Sequence, residues 1–195
     1  MLASRPTLRR KQPDARVPAH RPVPAGRCRC HRSLARHRHH GLRRVTASAA
    51  TYRCTTSSAS VDNPAYSGPL SDNYNFDVSL CAKRSGGYIY AYVNVKFEGP
   101  VWYVNQSDVL DAARFHLQIE KSVAGPDPVV KSAIYPGLEY KLEHGNTWGN
   151  GSYKTSTLTY RAGSGRYLAD GLIQLDWNND GKGYRNTYFD ASPTV

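Results

Sequence analysis

The chain has 195 residues and a net charge of +11, enough length for one domain and an extension. The charge is divided unevenly: residues 1–46 hold 13 of the 26 Lys and Arg and a single acid, a net of +12, whereas residues 47–195 hold 13 basic and 14 acidic side chains, a net of −1. The positive excess is therefore no nucleic-acid footprint of a folded domain, and no run of about 18 apolar residues is present to make a membrane-crossing helix.

All 14 Tyr, 4 Phe and 3 Trp lie at position 52 or later, so residues 1–50 lack the material for a core and read as a disordered, Arg-rich leader. Its charge would suit unspecific binding of nucleic acid or an anionic surface, without aromatic side chains for stacking. Cys28, Cys30, His31, His37, His39 and His40 are metal-ligand types at a spacing that fits no usual zinc pattern. Ala47-Ser48-Ala49 and Ser48-Ala49-Ala50 fit the small-x-small rule of a signal-peptide cleavage site, but the apolar segment that should precede them is missing. The expectation is a degenerate or misread secretion signal ahead of a domain spanning 51–195.

From Thr51 the pattern changes to period two. Thr51–Ser58 reads as a first strand, and Asp62-Asn63-Pro64 and Ser67-Gly68-Pro69 mark a loop. In Tyr74–Ala82 the residues Tyr74, Phe76, Val78, Leu80 and Ala82 share one parity. Ser85-Gly86-Gly87 predicts a hairpin turn. In Tyr88–Phe97 the alternation is unbroken: Ile89, Ala91, Val93, Val95 and Phe97 face one way, Tyr88, Tyr90, Tyr92, Asn94 and Lys96 the other.

Val101–Val104 reads as a short extension and Asp108–Ala113 as one helical turn. Phe115, Leu117 and Ile119 alternate on a fourth long strand. Val129–Ile134 and Leu138–Leu142 read as weaker strands around Pro136-Gly137, and Ser152–Tyr160 as one half-wet strand. Leu172–Trp177 and Tyr184–Phe189 read as a closing hairpin. Eight or nine strands with turn signals between them and no long helical period predict an all-β fold, an antiparallel two-sheet sandwich, with a barrel as the alternative.

Cys54 and Cys81 are the only cysteines of the domain and sit on neighbouring predicted strands, which points to a disulfide and an oxidising compartment. Asp176, Asn178 and Asp180, followed by Gly181, match the first half of a calcium loop. Thr187 stands where the bidentate Glu should be, and the same residues equally make a hairpin turn. Tyr88, Tyr90 and Tyr92, with Trp102 after them, project opposite the apolar stripe. On an open face such rings suit a polysaccharide; the competing reading is cross-strand packing. Catalytic signatures are thin: two histidines, His116 and His144, no nucleophile elbow, no His-Glu-x-x-His and no phosphate-cradling loop.

Thr51-Tyr52-Arg53-Cys54, the hairpin Cys81-Ala82-Lys83-Arg84-Ser85-Gly86-Gly87 and Trp177-Asn178-Asn179-Asp180-Gly181-Lys182-Gly183-Tyr184-Arg185 resemble small secreted β-proteins of filamentous actinobacteria. The resemblance covers 51–195 and implies export and a β fold; it brings no activity with it. The expected function is therefore that of an exported, non-catalytic binding module, for a polysaccharide or a protein outside the cell. A secreted glycan hydrolase and a nucleic-acid binder acting through the basic leader are the alternatives.

Overall fold

Period-two alternation decides the architecture. The computed structural model describes residues 50–64, 73–100, 109–178 and 180–195. The leader, its Cys and His candidates, and Val101–Val104 with Trp102 lie outside these residues.

The described elements, in order, are β1 (Arg53–Val61), β2 (Tyr74–Ser85), β3 (Tyr88–Glu98), β4 (Leu110–Ser122), β5 (Val129–Tyr135), α1 (Gly137–Glu143), β6 (Asn150–Lys154), β7 (Leu158–Arg161), β8 (Arg166–Trp177) and β9 (Arg185–Tyr188). They form two antiparallel sheets. One has five strands in the order β1-β2-β3-β6, with β7 also on β3; the other has four, β5-β4-β8-β9. No pairing among the described residues joins the two sheets into a barrel.

The core lies between the sheets and follows from parity. Phe76, Val78, Leu80 and Ala82 of β2 and Ile89, Ala91, Val93 and Val95 of β3 are buried against Phe115, Leu117 and Ile119 of β4 and Ala169, Ile173, Leu175 and Trp177 of β8. A one-residue slip in any of these strands would turn its apolar set to water, so the register is strongly fixed. The β2–β3 turn has two residues, and Gly86 at its first position takes φ 56°, a conformation that glycine adopts without a side-chain clash.

Three elements differ from the sequence reading. Leu138–Leu142, expected as a strand, belongs to α1, where Leu138 and Leu142, four apart, are both buried on one face. Over five residues Leu-x-x-x-Leu satisfies period two and period 3.6 equally, and the packing decided for the helix. Leu110–Ala113, expected as part of a helical turn, opens β4; its irregular register at Leu110/Ala112 is a bulge against β8. Ser152–Tyr160 divides into β6 and β7, which take opposite halves of the same β3 edge. At the break, Thr155 exchanges hydrogen bonds with Val93: its N–H donates to the Val93 carbonyl at 3.1 Å and its Oγ1 accepts from the Val93 N–H at 3.1 Å.

Tyr74 is fully buried, and its hydroxyl has no hydrogen-bond partner among the described residues. Burial, then the Glu143 charge, pushes the phenol far above its ordinary value. Because the folded-state value is raised, this contribution to stability is complete below about pH 10 and is lost as pH rises beyond it. Tyr74→Phe is expected to be at least as stable as the parent in urea unfolding at pH 7 and to lose less stability above pH 10. A loss above about 1 kcal/mol at pH 7 would show that the hydroxyl is bonded.

Candidate functional site

The register of the five-stranded sheet arranges its outward side chains in rows. Ser85, Tyr88 and Arg161 form the first, and Lys83, Tyr90 and Thr159 the second. Cys54, Cys81 and Tyr92 form the third, and Thr56, Ser79, Asn94 and Lys154 the fourth. Ser58, Asp77, Lys96 and Ser152 make the fifth, and Ser60, Asn75, Glu98 and Asn150 the sixth.

The tyrosine parity of β3 thus faces away from the core. Tyr88 is 43 % exposed, and Tyr90 and Tyr92 are half-buried. Their rings do not form one flat shelf. Tyr88 and Tyr90 are tilted by 45° with centroids 6.4 Å apart, and Tyr52, from the segment before β1, meets Tyr92 edge-on at 77° and 4.8 Å. Ammonium groups occupy the ring faces. Lys83 Nζ lies 4.5 Å from the Tyr52 centroid and 5.5 Å from that of Tyr90, and Lys154 Nζ lies 4.4 Å from that of Tyr92. These are cation–π distances.

In the third row Cys54 and Cys81 are joined by a disulfide with Cα atoms 4.1 Å apart, close to the short spacing of directly opposed antiparallel residues. The cross-link ties the edge strand β1 to β2 beside Tyr92.

Rows five and six line a groove of about 680 Å³. Its polar residues come from four strands: Ser58 and Ser60, Asn75 and Asp77, Lys96 and Glu98, Asn150 and Ser152. Ser58 Oγ donates to Asp77 Oδ1 at 2.5 Å. Gly151, between the outward Asn150 and Ser152, leaves room on the core side for the Phe97 ring, which occupies the space a Cβ would take (2.5 Å). The turn feeding β6 carries Trp148, 61 % exposed. Asn146 braces this turn, its Oδ1 accepting from the Trp148 and Asn150 N–H groups at 2.9 and 3.0 Å.

The groove and its cations were not assembled by sequence reasoning. Asn75, Asp77, Lys96 and Glu98 carry a legible signal, the polar parity of β2 and β3. Their convergence with Asn150 and Ser152 depends on a pairing between segments some fifty residues apart.

The calcium candidates sit at the β8 end. Asp176 is on β8 and Asn178 just beyond it. Asp180 Oδ1 accepts from the Lys182 N–H at 2.8 Å, and its Oδ2 pairs with Arg185 at 2.9 Å. This is an Asx-type turn with a charge clamp. Among the described residues no three His, Cys, Asp or Glu side chains gather as an ion site. The histidines are apart: His116 is on β4 of the other sheet, and His144 stacks on Tyr140 at 4.1 Å.

Carboxyls with raised pKa lie away from the groove, on the outer face of the four-stranded sheet. Burial raises Asp170, against the lowering effect of the Gly171 N–H that donates to it at 2.7 Å. Glu120 is raised by burial, then by the Asp170 and Asp127 charges. Raised folded-state values mean that these groups favour the fold below about pH 4 and that this is lost as pH rises through those values. Asp170→Asn, which keeps an acceptor for Gly171, is therefore expected to raise Tm at pH 7 and to leave it unchanged near pH 3. An equal effect at both pH values would remove charge burial as the cause.

The sequence matches no known protein-family model and no curated protein.

Proposed function

We propose that this protein is an extracellular, non-catalytic binding module that holds a polysaccharide on the outer face of its five-stranded sheet. The observation that carries the reading is the continuity of that face. The half-exposed tyrosines share that face with a groove in which apolar surface alternates with hydroxyl, amide and carboxylate groups and with Lys96. Sugars present both requirements at once, apolar C–H faces and dense hydroxyls. Tyr88, Tyr90 and Tyr92 would meet the ring faces and edges, and Asn75, Asp77, Glu98, Asn150 and Ser152 the hydroxyls. Trp102, Asp176, Asn178 and Asp180 have no part in this reading.

Placement outside the cell is supported by the disulfide, which persists in oxidising compartments. Among the described residues no helix is long and apolar enough to cross a membrane.

The test is retention of the full chain on insoluble chitin, cellulose and bacterial cell-wall glycan. The parent should be retained on at least one, and Tyr90→Ala, which removes a half-exposed ring, should lose about tenfold in affinity without a matching loss in Tm. Equal retention of the two, or none by either, rejects the proposal.

A second reading, a glycan hydrolase, is favoured by one feature: Asp77 and Glu98, on adjacent strands, line the same groove. Reducing ends released by the parent but not by Glu98→Gln would establish it.

A further inference from the structure

We infer that the polysaccharide is acidic: a glycan bearing uronate carboxylates, held by Lys83 and Lys154. The inference rests on reading this face as a glycan surface and specifies the chemistry of its ligand.

Charge along the face is segregated. The first four rows contain Lys83, Lys154 and Arg161 and no acidic residue; acids enter only in the groove, with Asp77 and Glu98. None of the three cations has a carboxylate within 4.0 Å among the described residues. Lys83 and Lys154 are instead held over the rings of Tyr52, Tyr90 and Tyr92. A ring face holds an ammonium in place without taking up its hydrogen-bonding protons, which stay available to an anion. A side chain ordered in advance also loses less entropy when the anion arrives. Tyr90 and Tyr92 thus hold the cations at the surface besides offering apolar contact to the sugar.

The spacing of the cations narrows the class. Lys83 pairs with Tyr90 and Lys154 with Asn94, four residues further along β3 and on its opposite side. The ring contacts Lys83–Tyr52, Tyr52–Tyr92 and Tyr92–Lys154 bring the two ammonium groups closer together than their backbone positions, to at most about 14 Å. Such sparse cations suit a chain with a carboxylate on some of its sugars and hydroxyls elsewhere. A nucleic-acid strand, with a phosphate on every unit, would run its remaining charges into the groove, where Asp77 and Glu98 outnumber Lys96. The uronates would lie over the lysines and neighbouring hydroxyls in the groove.

The experiment is an NMR titration of the full chain, reading the ring signals of Tyr90 and Tyr92, assigned with Tyr→Phe variants. Shifts confined to these rings and their neighbours report binding on this face. The titrants are a hexasaccharide of alternating glucuronate and N-acetylglucosamine, cellohexaose and a thymidine hexanucleotide. The alternating uronate hexasaccharide should shift both rings, about tenfold more tightly than cellohexaose, and should weaken with added salt. Lys83→Gln/Lys154→Gln should raise its Kd about tenfold, and Lys83→Arg/Lys154→Arg should restore most of the loss. If cellohexaose binds as tightly as the uronate hexasaccharide, or if the Gln variant leaves the uronate Kd unchanged, the inference falls and the glycan reading stands. If no sugar shifts the rings, or the oligonucleotide binds most tightly, both fall.

Discussion

Trp177→Ala is expected to cost about 3–5 kcal/mol, the largest effect of any single substitution considered. Trp177 is 1 % exposed at the end of β8, pairs with Leu110 across the bulge of β4 and packs beside Tyr74 with ring centroids 6.3 Å apart. Its truncation removes a large apolar surface and leaves a void walled by two sheets, whose register prevents either from collapsing into it. Urea unfolding followed by far-ultraviolet circular dichroism measures the loss, and Trp177→Phe should recover about half or more of it. A cost below about 1 kcal/mol would mean that the sheets are not locked around this residue.

The second large effect concerns the disulfide. Cys54–Cys81 closes a loop with a sequence separation of 27, which under the chain-entropy account is worth about 3 kcal/mol. Cys54→Ser/Cys81→Ser should lower stability by about that amount, a fall in Tm of roughly 6–12 °C for a domain of this size. Cys54 is exposed on the outer face of the sheet and Cys81 is buried, so a reductant approaches the bond from the Cys54 side. Dithiothreitol should therefore reproduce the loss in the parent and have no effect on the double variant. The comparison also bears on function, because the bond fastens β1 beside Tyr92 and positions Ser58 and Ser60 at the groove wall. Reduced protein should lose glycan retention even at temperatures where it stays folded.

The legibility of the sequence follows from where each signal resides. β2 and β3 announce themselves because a single strand carries its own parity, and Tyr88, Tyr90 and Tyr92 could be placed away from the core on that ground alone. The disulfide was legible for a related reason, two cysteines on adjacent strands. α1 was not, because five residues cannot separate the two periods. The first half of β8, Arg166–Gly171, was also hidden: Gly171 resembles a turn residue, yet it is required because the Phe115 ring (2.6 Å) and the His116 carbonyl (2.7 Å) occupy the space a Cβ would take.

The site divides the same way. Which side chains point outward is local; which of them share a row is long-range. Lys154 comes over Tyr92, and Asn150 beside Glu98, only through the β3–β6 register, and that register depends on α1 and the Asn146 turn delivering the chain to the correct edge. The charge total pointed elsewhere altogether, because half of the cationic residues lie in the first 46 positions. The cations that matter for the proposed site are two lysines held over tyrosine rings, Lys83 and Lys154, in a domain that is nearly neutral.

The central claim is that ligand covers one outer face of the sandwich and leaves the other bare. Hydroxyl-radical footprinting of the full chain, with and without the glycan that retains it, reads both faces in one measurement. Tyr88 and Tyr90 report on the five-stranded sheet; Tyr188, 71 % exposed on the four-stranded sheet, is the internal reference. Glycan is expected to slow oxidation of Tyr88 and Tyr90 severalfold and to leave Tyr188 unchanged. Protection of Tyr188 with Tyr88 and Tyr90 still open would contradict the claim.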